Sequence, residues 1–344
     1  MKYMVEGKEF TPKIEVVYDL IPHMAGISMR DFCLDKQQCA EAWKTGPQKL
    51  AAYFGDRLPL PEPAPAPISY GHLICLGAPC NHTEEGEPNV SPFAGSIDEA
   101  IEILQAKKGM DYQTVPMFQH YLEIWAYLKE QFPDVKIPFY AFGAQGPVTS
   151  TVLMRGQDFF CDLYDEPEKA AEFIMLMADS VVDYRKYLRR MNGDPEEGEG
   201  GLCDDFASLV SPDQWPVFVI PAMEKYYSSF RARGNRYLHL ENLTPKHLPY
   251  LNNLKITHYQ PSVSDMITVE DIKASLNPDM TFDLLLYPYH ITDMTDEEIQ
   301  QWVDQAVRSG AVRIRTEICT YTAQRGKFDR ITAFHRAFDK YRVE

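Results

Sequence analysis

Short apolar runs alternate along the chain with longer stretches in which apolar residues recur every three or four positions. The runs at 14–21, 69–77, 136–143, 200–205, 236–241, 255–260, 281–287 and 312–319 carry the composition and length of strands. Helical spacing occupies 28–53, 96–106, 115–132, 167–191, 269–276, 296–309 and 328–341. Several boundaries are marked chemically. Pro167 follows Asp165 and opens the longest helical pattern, with acids in its first turn, and Ser211-Pro-Asp opens the helix that follows the fourth run. The Pro/Ala-rich stretch 59–67 reads as an extended linker, because proline fixes φ and removes backbone donors.

Strands that alternate with helices build parallel sheets from βα units. Eight such units predict an α/β fold of the (β/α)8 TIM barrel type, with an N-terminal helical elaboration ahead of the second strand. The 344 residues are then expected to form a single barrel domain, 1–67 supplying the elaboration and the linker. Barrel enzymes place their chemistry at the C-terminal ends of the strands. The polar residues there are His23 after the first run, Asn81 and His82 after the second, Gln145 after the third, and Asp204 and Asp205 after the fourth. His239 and Glu241 close the fifth, His258 and Gln260 the sixth, Tyr287, Tyr289 and His290 the seventh, and Glu317 and Cys319 the eighth. Each alone has an ordinary reading as a hydrogen-bonded structural group. Their convergence on one rim is what that reading explains badly.

His239 and Glu241 are two residues apart on a strand, so they share a face. With Cys319 they offer one nitrogen, one carboxylate and one thiolate, the donor types of a catalytic zinc site with one position open. The competing readings are a free thiol and a solvent-facing carboxylate. Asp204, His23, Gln145, His258, Tyr287 and Tyr289 are the candidate substrate contacts, and no catalytic residue is assigned.

Composition narrows the partners. Acidic residues outnumber basic ones by 50 to 34, a net charge of −16 that disfavours a nucleic-acid partner. There is no apolar run long enough to span a membrane, and residues 1–9 lack the apolar core of a signal peptide, so a cytoplasmic protein is expected. Seven widely spaced cysteines without a C-x-x-C pair are not a disulfide framework.

Three segments carry a family likeness. Gly146-Pro-Val-Thr-Ser-Thr-Val-Leu-Met-Arg-Gly156 with Asp162-Leu-Tyr-Asp-Glu-Pro-Glu168, Asp204-Asp-Phe-Ala-Ser-Leu-Val-Ser-Pro-Asp-Gln-Trp215, and Gly26-Ile-Ser-Met-Arg-Asp-Phe32 resemble segments of the uroporphyrinogen decarboxylase superfamily. That superfamily contains cofactor-free decarboxylases and zinc-dependent methyltransferases that work with corrinoid proteins. The arginine-bearing segment of the decarboxylases is replaced here by Pro22-His-Met-Ala-Gly-Ile-Ser28. The zinc motif of the methyltransferases, a His-x-Cys after strand five and a Cys after strand eight, is matched by His239 and Cys319, with Glu241 in place of the first cysteine. The resemblance therefore implies a Zn²⁺-dependent methyltransferase moving a methyl group between a small methylated substrate and a corrinoid (cobalamin) carried by a partner protein. A carboxylate ligand makes the metal harder, which favours an oxygen substrate and hence O-demethylation of a methyl ether. A methylcobamide:thiol methyltransferase and a decarboxylase are the alternatives.

Overall fold

The computed structural model describes residues 2–55, 58–198, 200–262 and 264–343. Among these, six parallel barrel strands lie side by side: Lys8–Val16 (strand one), Arg313–Ile318 (eight), Thr281–Leu286 (seven), His258–Gln260 (six), Tyr237–His239 (five) and Gly201–Cys203 (four). Strands two and three are short extended segments joined by a parallel bridge between Ile68 and Phe142. Strand three reaches strand four through the Gly146 N–H, which donates to the Cys203 carbonyl at 2.7 Å. The architecture is the expected α/β barrel, with helices filling the connections.

The N-terminal elaboration consists of Leu20–Ala25, Met29–Leu34 and Lys36–Phe54, inserted between strands one and two. An antiparallel strand, Lys2–Val5, pairs with the start of strand one on one side and with Arg342–Val343 on the other, tying the two ends of the chain together.

Three expectations change in detail. Strand one runs over Lys8–Val16 rather than 14–21, because the chain turns at Tyr18 and Asp19 into a helix. The run at 69–77 is a helix, Gly71–Leu76, all six of whose residues are buried. A run buried on every side has no periodicity to separate helix from strand, and this one lies between two core clusters, Leu73 and Leu76 in the main one and Ile74 and Cys75 in a second around Phe118, Phe139, Phe142 and Tyr184. The proline-rich stretch is irregular but packed: Ala66 is buried, and the Trp43 indole N–H donates to the Ala64 carbonyl at 2.6 Å. Most predicted helical boundaries hold closely, but the stretch 28–53 divides at Asp35 into two helices, and Pro147–Arg155 and Phe159–Asp165 are helices the spacing did not announce. Thr295 with Glu298 and Thr268 with Asp271 form capping boxes that start Asp296–Ser309 and Val269–Ser275 at the expected residues.

Candidate active site

Alternation along the strands sorts each residue to the helical layer or to the barrel interior. Leu238, Leu240, Tyr259, Ile314 and Ile318 are buried in the apolar core. Their neighbours Tyr237, His239, His258, Gln260, Arg313, Arg315 and Glu317 form a polar interior. Gln260 of strand six contacts the Arg315 guanidinium of strand eight, skipping strand seven, a contact that crosses the interior.

This interior is layered. At its floor Asp283, 1% exposed, meets Arg313 at 3.1 Å and His258 Nε2 at 3.0 Å, and His258 stacks on Tyr237. Above it the parallel register sets Glu15 beside Glu317, two like charges on adjacent strands. The Arg315 guanidinium pairs with both and relieves their repulsion. At the rim the His239 ring lies with Nε2 3.5 Å from Asp205 and 3.8 Å from Glu241, and with Nδ1 3.0 Å from the Gln260 amide. The Glu241 N–H donates to Asp205 at 3.2 Å, linking strands four and five. Burial raises the Asp205 carboxyl pKa and Glu241 reinforces it, while His239 pulls the other way. Burial also raises Glu317.

The candidate residues do not all meet. His239 and Glu241 face one another, whereas the Cys319 thiol, raised in pKa by burial, contacts the Thr322 hydroxyl at 3.9 Å. The Tyr287 hydroxyl is raised in pKa first by burial and then by Tyr289, Glu241, Glu317 and Cys319. Tyr287, Tyr289 and Tyr321 form an aromatic wall, with centroids 5.1 and 4.4 Å apart. Among the described residues no three His, Cys, Asp or Glu side chains are drawn together as a bound ion would draw them. The donor types at the rim nevertheless suit zinc, with an imidazole held by a neighbouring amide, a carboxylate beside it, and a thiol at the end of strand eight.

The other candidates scatter. Asp204 is fully buried and turned to the helix Pro147–Arg155, accepting from the N–H groups of Thr149 (2.6 Å) and Val148 (3.2 Å). Burial pushes its pKa up to about 7 against those two donors. His23 is exposed on its short helix, and His258 lies at the floor. Gln145 lines a separate cavity of about 470 Å³ with Ser69, Tyr140, Arg185 and Cys203.

Residues 72–311 match the family model of uroporphyrinogen decarboxylase. The chain belongs to the uroporphyrinogen decarboxylase family. His239, Glu241, Asp204 and Asp205 fall inside the matched segment, while Cys319 and His23 fall outside it. Among solved structures, a methyltransferase from Methanosarcina mazei has a similar fold, with a TM-score of 0.68 and 15% identity over 96% of this chain and 93% of that one. No curated protein matches the chain in sequence. Among the described residues no helix is long and apolar enough to cross a membrane.

Asp205, Gln260, Glu317 and Arg315 are the members of this rim and interior that the sequence reading left out of its candidate contacts. Asp205, Gln260 and Glu317 stood on the rim by strand position, and an acid directly after Asp204 could have been weighed as the inward member of the pair. Arg315 carried the signal of strand alternation, which sets it on the face of Glu317.

Proposed function

We propose that this protein is an enzyme transferring a methyl group between a small methylated substrate and a corrinoid carried by a partner protein, with zinc held by His239, Glu241 and Cys319. The observation that carries the reading is the His239 ring at the C-terminal rim of strand five, its Nε2 set against two carboxylates and its Nδ1 against an amide. Membership of the uroporphyrinogen decarboxylase family and the fold shared with the M. mazei methyltransferase support it.

Bound zinc would supply a Lewis acid beside the atom that carries the methyl group. The residues around it have separate work. Gln260 orients the His239 ring, Asp205 holds the backbone of Glu241, and Arg315 keeps Glu15 and Glu317 paired beneath the rim. The wall of Tyr287, Tyr289 and Tyr321 offers one apolar side to a small or flat substrate. Because Glu241 stands where a thiolate ligand would make the metal softer, we favour a methyl ether as substrate. A decarboxylase acting on a polycarboxylate is disfavoured, since Arg313 and Arg315 are already paired with Asp283, Glu15 and Glu317.

The test is metal content followed by turnover. Wild type is expected to hold about one zinc per chain, and His239→Ala and Cys319→Ser to lose it with unchanged circular dichroism. Methyl ethers should then methylate cob(I)alamin in the presence of wild type. Full zinc in both variants, or decarboxylation of uroporphyrinogen without metal, would overturn the reading.

A further inference from the structure

Gln260 ends strand six with its side chain almost wholly buried between three partners. The His239 Nδ1 lies 3.0 Å from the amide, the Arg315 guanidinium is in direct contact with its other end, and the Tyr237 hydroxyl is hydrogen-bonded to it as well. These partners differ in freedom. A guanidinium only donates and does not lose its proton in proteins, and this one is fastened by Glu15 and Glu317. The amide oxygen therefore belongs on the Arg315 side, which turns the NH₂ toward Tyr237 and His239.

A donor facing Nδ1 makes that nitrogen an acceptor, so the neutral ring carries its proton on Nε2. The far side of the ring agrees. Nε2 faces the acceptor oxygens of Asp205 and Glu241, at 3.5 and 3.8 Å. Two independent environments, one on each ring nitrogen, select the same tautomer.

We infer that Gln260 is a positioning residue that holds His239 in its Nε2–H tautomer, so that His239 takes up a metal at Nε2 only when the Gln260 amide turns over against Arg315. The inference deepens the reading of His239 as a ligand and rests on it. On uptake the Nε2 proton passes to solvent and Nδ1 gains one, leaving the ring neutral. The new Nδ1–H needs an acceptor. Gln260 supplies one by rotating its oxygen away from Arg315, which sets its NH₂ against the guanidinium, donor against donor. Metal occupancy is thereby coupled to the Arg315 network, and the site is built to release its ion more readily than one with a carboxylate behind the histidine. Glutamate at this position ends the conflict, because a carboxylate accepts from Arg315 and from Nδ1–H together.

The tautomer is read directly by ¹⁵N NMR on the full-length, metal-free chain labelled at histidine, at a pH about two units above the ordinary histidine value. Wild type should show His239 protonated at Nε2, Gln260→Glu should show it protonated at Nδ1, and Gln260→Met, which keeps only the Asp205 and Glu241 side of the selection, should show Nε2–H less fully populated than in wild type. Zinc affinity, from competition with a chelator, should rise about tenfold or more in Gln260→Glu, within the range that partners behind a metal-bound histidine command. The Met variant, which adds no charge, should bind more tightly than wild type and less tightly than the Glu variant. A wild-type ring protonated at Nδ1, or a Glu variant that keeps Nε2–H, overturns the inference. Wild type that binds no zinc while its tautomer is as expected removes the metal reading and leaves the positioning role of Gln260 intact. Should the Glu variant fail to fold, the wild-type and Met spectra decide.

Discussion

Glu241 is the residue at which the rim departs from a soft, sulfur-rich ligand set. A carboxylate donates less charge to zinc than a thiolate and leaves the ion a stronger Lewis acid toward oxygen. Glu241→Cys is accordingly expected to retain zinc, to lower methyl transfer from methyl ethers about tenfold, and to bind thiols more tightly, a tenfold change being about 1.4 kcal/mol in barrier. The check is the rate of methylcobalamin formation with paired ethers and thioethers at equal zinc content. Identical behaviour of wild type and variant on both would remove Glu241 as the determinant. Asp205 and Asp204 show how finely residue-scale geometry discriminates. Adjacent and chemically alike, one faces the His239 ring and the other is spent on a helix N-terminus.

At the scale of elements, the segments that carry the family likeness turn out to be joints. The Arg155 guanidinium pairs with Asp162 at 2.9 Å and with Asp158 at 3.1 Å, locking Pro147–Arg155 to Phe159–Asp165. Asp204 holds the start of the same helix, and the Thr149 hydroxyl accepts from the Phe206 N–H at 3.0 Å. Gly146 is required where this joint is tightest, because a Cβ there would stand 2.4 Å from the Asp204 Cγ. Gly146→Ala should destabilise the fold by about 2 kcal/mol or more, by displacing a buried carboxylate from its donors. Chemical denaturation measures this, and a variant within about 0.5 kcal/mol of wild type would show that the joint yields without penalty. Helix limits were legible in the sequence because caps and periodicity are local. Strand two was not, since its extended segment ahead of the helix Gly71–Leu76 is defined by one bridge, Ile68 to Phe142, whereas that bridge does fall within the predicted third run, 136–143.

For the whole molecule, His72 couples folding to pH. It is fully buried between Gly71–Leu76 and Pro167–Asn192, with Nε2 2.8 Å from the Ser180 hydroxyl. Burial, with Arg185 nearby, pushes its pKa down to about 3. The unfolded chain protonates His72 below about pH 6.5 while the native state does not. Stability from this group is therefore present above pH 6.5 and declines as pH falls toward 3, at a slope approaching about 1.4 kcal/mol per pH unit. His72→Gln should flatten the acid limb of the stability curve, recovering about 1 to 2 kcal/mol of the acid loss near pH 5. Denaturant midpoints between about pH 5 and 8 provide the check, and parallel wild-type and variant curves would sink the assignment.

The alternation of strands four to eight with helices, and with it the barrel class and the rim that bears His239 and Glu241, was determined by sequence alone, because periodicity, caps and a two-residue spacing act over neighbouring positions. The fate of the rim residues was decided by tertiary structure. The chain cannot state locally that Asp204 caps a helix begun at Pro147, that Glu15 and Glu317 meet across the seam of strands one and eight, or that Arg315 reaches past strand seven to Gln260. Each of those contacts joins residues far apart in the chain, and it is burial in a shared interior, where every donor must find an acceptor, that assigns them their partners.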